Sequence, residues 1–251
     1  FSADQLRVEV TRALHHRAQL RELRRLREDA TRSEATPLLG ESAPMKELRD
    51  LIGRVARSDA SVLVEGESGT GKELVARAIH ELGPRREGPF VAINCAAIPE
   101  SLLESELFGY KKGAFTDAKG PRRGLLLEAS GGTLFLDEIG EMPSTMQAKL
   151  LRALEMRRVR PLGSHEEVAF DARLVTASHR NLEERVQEGL FREDLLYRLN
   201  VVNLRLPALR ERKADIVALA KHFSKKYAAA NGVPDRAFDA TARAALLAHP
   251  W

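Results

Sequence analysis

Few runs of residues limit a fold as tightly as Val62-Leu63-Val64-Glu65-Gly66-Glu67-Ser68-Gly69-Thr70-Gly71-Lys72-Glu73-Leu74-Val75-Ala76-Arg77-Ala78-Ile79-His80. Its opening residues are apolar and β-branched, which suits a buried strand. Gly66, Gly69 and Gly71 then make a turn whose backbone N–H groups can converge on an anion. Leu74, Val75, Ala78 and Ile79 recur at helical spacing. Strand, glycine-rich loop and helix are the context that makes Gly-x-x-x-x-Gly-Lys a phosphate cradle. Lys72 can reach β- and γ-phosphates, and the helix N-terminus adds partial positive charge. Glu67, Ser68 and Thr70 complete the set of candidate nucleotide-binding residues in the loop. The position after the lysine usually holds Ser or Thr, whose hydroxyl binds Mg²⁺. Here it is Glu73, a carboxylate that can hold magnesium directly or through water.

The chain has 251 residues, 43% hydrophobic and 30% charged, enough for one large domain or two smaller ones. A formal net charge of +4 makes no overwhelming basic field and so does not by itself demand nucleic acid. Cys95 is the single cysteine, which excludes an intramolecular disulfide and suggests a reducing cytoplasm. No apolar run approaches the roughly 18 residues of a membrane span. The opening Phe-Ser-Ala-Asp has no basic or apolar region of a signal peptide. Both ends read as cuts through a longer protein.

Ser2 or Asp4 can cap a helix running to about Asp29, within a segment assigned to residues 1–33. Leu6, Ala13 and Leu20 lie on one imperfect heptad seam, with arginines over much of the remainder. A solvated face and a dimerising linker are both open readings. DNA or anionic lipid is a further option, although no aromatic membrane face is present. Thr31 to Pro37 reads as a linker. Pro44 to about Arg57 is an amphipathic helix pattern with Met45, Leu48, Ile52 and Val55 on one face.

Further strands are expected at Pro89 to Cys95, with Asn94 at its end, at Gly131 to Glu138, at Ala172 to His179 and at Val201 to Leu206. The second of these ends in two carboxylates. In such a pattern Asp137 holds the Mg²⁺ shell and Glu138 polarises the attacking water. Ser101 to Gly109 and Ser144 to about Glu155 read as helices, and Val159 to Val168 as a hairpin. Between them, Tyr110 to Gly120 makes poor core. Phe115 stands there among glycine, small and charged residues, as an exposed aromatic on a loop tip that could grip a partner. His179 reads as a surface residue at a strand end.

Gly-Glu-Ser-Gly-Thr-Gly-Lys-Glu, then Gly113-Ala114-Phe115-Thr116-Asp117-Ala118, the Asp137-Glu138 strand and the arginine-bearing stretch Gly189 to Asn200 resemble, in this order along the chain, the AAA+ ATPase domain of the NtrC-like, sigma-54-dependent transcription activators, the bacterial enhancer-binding proteins. The family's Phe loop is Gly-Ala-Phe-Thr-Gly-Ala; Asp117 replaces its glycine. The resemblance covers about Pro37 to Trp251 and implies several roles. Leu39 and Gly40 lie near the adenine. Asn94 hydrogen-bonds the catalytic Glu138 and holds it away from water. Ser178 takes the sensor I place, usually a threonine, near the γ-phosphate. Arg192 and Arg198 face the next subunit's nucleotide, with Arg198 the preferred arginine finger. Gly113 to Ala118 touch sigma-54.

The fold implied is an α/β P-loop NTPase of the AAA+ class: a central, mainly parallel sheet flanked by helices over residues 37–207, after an N-terminal linker helix. A truncated helical lid follows over 208–251. The function implied is ATP hydrolysis with Mg²⁺ in a ring, expected to be a hexamer, that remodels sigma-54 RNA polymerase and opens promoter DNA. Phe1 to Leu6 also resembles the start of the last helix of a response-regulator receiver domain. DNA binding would reside in a C-terminal domain outside this chain, and the family's sensor II arginine would lie beyond Trp251. Alternative readings are an AAA+ protein unfoldase or DNA motor that does not act on sigma-54, and a nucleotide-gated interaction module.

Overall fold

The computed structural model describes residues 38–115 and 120–251. The helix expected over residues 1–33, and Thr116, Asp117 and Ala118, lie outside them.

Five parallel strands form the central sheet, in the order β2-β5-β8-β1-β9. They are β1 (Val62–Glu65), β2 (Phe90–Asn94), β5 (Thr133–Asp137), β8 (Arg173–Ser178) and β9 (Val202–Arg205). Alternation along each strand splits the apolar residues between two layers, as a period of two requires. Leu63, Leu134, Leu136 and Leu174 enter one core, packed by Leu107, Met146, Leu150 and Leu195. Val62, Val64, Phe135, Val175 and Ala177 enter the other, packed by Met45, Ile52, Val75 and Ile79. Both faces are therefore covered, the normal condition of a parallel sheet.

The second layer is built by α1 (Ala43–Ala56) and α2 (Lys72–Glu81). Buried Met45, Leu48, Ile52 and Val55 make the inner face of α1, and Pro44 opens it without losing a needed donor. Its far end is closed from outside: buried Arg173 donates to the carbonyls of Val55 at 2.8 Å and Ala56 at 2.9 Å. A cation there suits the negative end of the helix.

The first layer holds α3 (Glu100–Phe108), the short α4 (Leu125–Glu128), α5 (Ser144–Met156), α6 (Leu182–Gln187) and α7 (Glu193–Leu199). Two small antiparallel pairs project from it, β3 (Gly109–Tyr110) with β4 (Arg122–Arg123), and β6 (Arg158–Val159) with β7 (Val168–Ala169). After β9 a 3₁₀ turn (Leu209–Glu211) leads to α8 (Lys213–Ala230) and α9 (Ala240–Ala248).

Close backbone approach before β2 and β5 leaves no room for a side chain at Gly132. A Cβ there would lie 2.0 Å from the Pro89 carbonyl oxygen, which already accepts the Thr133 N–H at 2.8 Å. Gly131 differs: it sits at φ +79° with open space where its Cβ would be. Gly131→Ala should cost about 1 kcal/mol, the left-handed penalty alone. Gly132→Ala should cost about 3 kcal/mol, because backbone must move. Urea unfolding of the two variants checks this; equal midpoints would refute it.

Candidate functional site

Parallel strands bring all their carboxyl ends to one edge, and the strand order places β1 between β8 and β9. Its continuation runs to β2 on the far edge, so the order reverses at β1. Ligands of open α/β sheets bind at such a reversal. The glycine-rich loop leaves from Glu65, beside Ser178 of β8 and Arg205 of β9 in register. Asn94 of β2 stands beside Asp137 of β5.

The loop is held in shape by its own groups. Thr70 donates from its N–H at 3.3 Å and from Oγ1 at 2.7 Å to the Glu67 carbonyl. The Gly66 N–H donates to the Ser178 carbonyl at 3.2 Å. Gly69 (φ +79°) and Gly71 (φ +103°) take left-handed backbone that other residues resist. Gly71 is the residue before α2 and has no side chain to cap it. The first N–H groups of α2 thus face the loop interior with their partial positive charge. Lys72 is buried, and its Nζ donates to the carbonyls of Gly66 at 3.0 Å and Glu67 at 3.3 Å. Its third neighbour is Glu138 Oε1, at 3.5 Å.

The two carboxylates behave differently. Burial, reinforced by the charge of Glu138, raises the pKa of Asp137 above the usual carboxylate range. Burial also opposes ionisation of Glu138, but the His179 hydrogen bond and the Lys72 charge outweigh it and lower its pKa. Glu138 takes left-handed backbone, φ 52° and ψ 47°, which swings its side chain off the line of β5. Its Oε2 accepts the His179 N–H at 3.3 Å and lies 2.5 Å from His179 Nδ1.

Asn94 is where the expectation needs correcting. Its Nδ2 donates to Asp137 Oδ2 at 3.2 Å, not to Glu138. Its Oδ1 accepts the N–H groups of Ala96 at 2.9 Å and Ala97 at 3.1 Å, which fixes the orientation of the amide. The left-handed turn at Glu138 explains the change of partner: it carries that carboxylate toward β8, and Asp137 remains opposite Asn94. Ser178 is buried, and its Oγ bonds both the N–H (3.0 Å) and the carbonyl (2.9 Å) of Arg180.

Gly40 sits at φ +141°, and its carbonyl and that of Leu38 accept from Arg49; Leu39 is half-buried between them. Asp215, at the root of α8, accepts the N–H groups of Glu41 at 2.7 Å and Ser42 at 2.9 Å, and the Ser42 hydroxyl at 2.5 Å. Buried Arg212 donates to the Thr70 carbonyl at 3.1 Å. Arg210 pairs with Glu67. The sequence assigns these three residues no role in the site and marks His179 only as a surface residue at a strand end. The charge run Arg210-Glu211-Arg212-Lys213, separated by four residues from the last strand, is the available signal.

A cleft of about 390 Å³ opens between Gly66, Ser178, His179, Arg205 and Arg210. Arg192 forks onto Asp194 at 2.7 and 3.0 Å, and exposed Arg198 donates to the Leu154 carbonyl at 3.2 Å. Neither contact is with the glycine-rich loop of the same chain. Phe115 is 45% exposed and meets Tyr110 edge-on, ring centres 4.9 Å apart. Gly113, at φ +84°, and Ala114 lead to it. The root of that loop is fastened to the β6–β7 hairpin: the Lys111 N–H donates to the Leu162 carbonyl at 3.0 Å, and Lys111 pairs with Glu166 at 2.7 Å.

The glycine cradle, uncapped helix start and buried ammonium fit a nucleotide's phosphates. Among the described residues no group of three acidic, histidine or cysteine ligands could hold a metal by itself. Mg²⁺ in a phosphate site needs only one or two carboxylates, and Asp137 and Glu73 are the pair at hand. Glu73 is half-exposed and pairs with Arg77 at 2.8 Å.

Residues 38–205 match the Sigma-54 interaction domain, and 210–251 an AAA+ ATPase lid domain. The regulatory protein AtoC of Escherichia coli is 48% identical over 252 residues, 100% of this chain and 55% of AtoC. The transcriptional regulatory protein FlbD of Caulobacter vibrioides is 54% identical over 191 residues, 76% of this chain and 42% of FlbD. NtrX from Brucella abortus, solved in complex with ATP, is 40% identical with a TM-score of 0.81, covering 100% of this chain and 56% of that one. The chain therefore spans about half the length of the relatives it matches. With its parallel sheet, phosphate cradle and paired carboxylates, it belongs to the sigma-54 interaction domain family of AAA+ P-loop NTPases, the activator domain of enhancer-binding transcriptional regulators.

Proposed function

We propose that this chain binds and hydrolyses ATP and that it uses the cycle to remodel sigma-54 RNA polymerase for promoter opening. The observation that carries the catalytic half is the meeting of Lys72 and Glu138, 3.5 Å apart over the end of the sheet. Lys72 exchanges its loop carbonyls for the β- and γ-phosphate oxygens. Glu138, ionised, orients the attacking water and accepts its proton as the bond from γ-phosphorus to the leaving oxygen breaks. Asp137, with Glu73, would hold Mg²⁺, which neutralises charge on the β- and γ-phosphates when bound. Asn94 steadies Asp137, and Ser178, whose carbonyl accepts the Gly66 N–H, takes the γ-phosphate side. Leu39 and Gly40, strapped by Arg49, line the adenine side.

Arg192 and Arg198 serve the neighbouring subunit's nucleotide in a ring, a hexamer in this reading. Arginine suits that role because it stays charged and forks onto phosphate oxygens. The Phe115 loop, with Thr116 and Asp117, supplies the contact to sigma-54; its fastening to the β6–β7 hairpin gives a route by which it moves with the ATPase core. A DNA-binding domain elsewhere in the full protein would hold the ring near its promoter.

Lys72→Ala should abolish ATP binding, whereas Glu138→Gln should bind ATP and scarcely hydrolyse it. Fluorescent-nucleotide titration and phosphate release measure the two, and equal loss of binding in both would contradict the separate roles. Arg198→Ala should lose roughly 10³-fold in turnover with subunit affinity for ATP retained. Mixing it with Lys72→Ala should restore part of the activity; no rescue in demonstrably mixed rings would count against a shared site. Phe115→Ala in the full-length protein should keep its ATPase and lose open-complex formation at a sigma-54 promoter. Wild-type promoter opening by that variant would rule out the assigned contact.

A further inference from the structure

Glu138 has two carboxylate oxygens, and each has a separate neighbour. Oε1 faces Lys72 Nζ at 3.5 Å. Oε2 is taken by His179 twice, by the backbone N–H at 3.3 Å and by Nδ1 at 2.5 Å. A carboxylate that is ionised can only accept, so the proton of that contact sits on Nδ1. The amide expected in this place, Asn94, is committed through both of its ends to Asp137, Ala96 and Ala97.

The strand order explains why His179 reaches Glu138. β8 lies between β5 and β1, so the turn after it stands between Glu138 and the phosphate loop. From that turn Ser178 meets the phosphate loop through its carbonyl, and His179 meets Glu138. The Ser178 carbonyl accepts Gly66 N–H at 3.2 Å, and the Ser178 hydroxyl closes the turn on both polar groups of the Arg180 backbone. His179 is thus presented from a braced turn. Two adjacent residues fix the distance between the phosphate cradle and the carboxylate.

We infer that His179 is the positioning residue for hydrolysis: it holds Oε2 so that Oε1 is the oxygen presented to the attacking water. This rests on the reading of Glu138 given above. An error of about 1 Å in aiming such a group can cost 10²-fold in rate, so a side chain that touches no phosphate acquires control of turnover. His179 is 36% exposed, and replacing it removes no core contact. The imidazole Nδ1 and an asparagine Nδ2 hang from the same carbon, Cγ, whereas a glutamine donor lies one carbon further out.

The test uses steady-state ATP hydrolysis by the full-length protein with His179→Ala, His179→Asn and His179→Gln, alongside Glu138→Gln. His179→Ala should lower kcat by about 10- to 100-fold, the usual loss when an orienting partner is removed, with KM for ATP unchanged. His179→Asn should recover most of kcat, and His179→Gln should not. The inference is overturned if His179→Ala keeps the parental kcat, if its loss resides in KM, or if His179→Asn is as slow as His179→Ala. An inactive Glu138→Gln beside a normal His179→Ala overturns this inference alone. A Glu138→Gln variant that turns over like the parent removes the role of Glu138 and takes this inference with it.

Discussion

A buried ammonium is the constraint around which the site is arranged. Removing a charge from water costs several kcal/mol unless close partners replace the solvent. Lys72 finds them in the carbonyls of Gly66 and Glu67 and in the nearby Glu138. Those carbonyls can turn inward only because the loop folds back on itself through left-handed glycines. The lysine therefore organises the loop before any nucleotide arrives. Phosphate binding becomes an exchange of acceptors at one cation, with little folding of the loop left to do.

Glu138 answers the same cation from across the sheet, and its geometry departs from a simple strand end. A non-glycine residue at φ 52° and ψ 47° carries a backbone cost. In return the turn separates two neighbouring carboxylates that would otherwise repel at one point. Asp137 stays with Asn94, and Glu138 goes to Lys72 and His179. Their opposed pKa shifts express that separation: one carboxylate is burdened by burial and a like charge, and the other is relieved by a donor and a cation.

The sheet and the phosphate loop were legible because both are local patterns. Val62 to Val64, Leu134 to Leu136 and Arg173 to Ser178 announce buried strands by composition, and the glycine spacing announces the turn. The partner of Asn94 was not legible, because it depends on a single left-handed residue forty-odd positions away, and no spacing encodes that. His179 reads as a surface residue at a strand end, which its partial exposure matches; its contact with Glu138 exists only because β8 is inserted between β5 and β1. Arg212 and Asp215 were hidden for the same reason. Their partners Thr70, Glu41 and Ser42 lie 142 to 174 residues earlier, so a charge run was visible where a set of bonds was not. The Phe115 loop stood out by the opposite signal, an aromatic that no local pattern could bury.

The bonds at the root of α8 have a mechanical consequence. Arg212 grips the phosphate loop at Thr70, and Asp215, one helical turn later, grips the backbone at Glu41 and Ser42. An 18-residue helix continues without a break from that point to Ala230. Its length is a lever arm of roughly 27 Å. Any torque applied at the far end is delivered to two anchored points, one just before α1 and one in the phosphate loop. The helix cannot swing about its first turn without straining the chain that flanks Gly40, so small displacements at the anchors and large ones at the tip are the same motion seen at two radii.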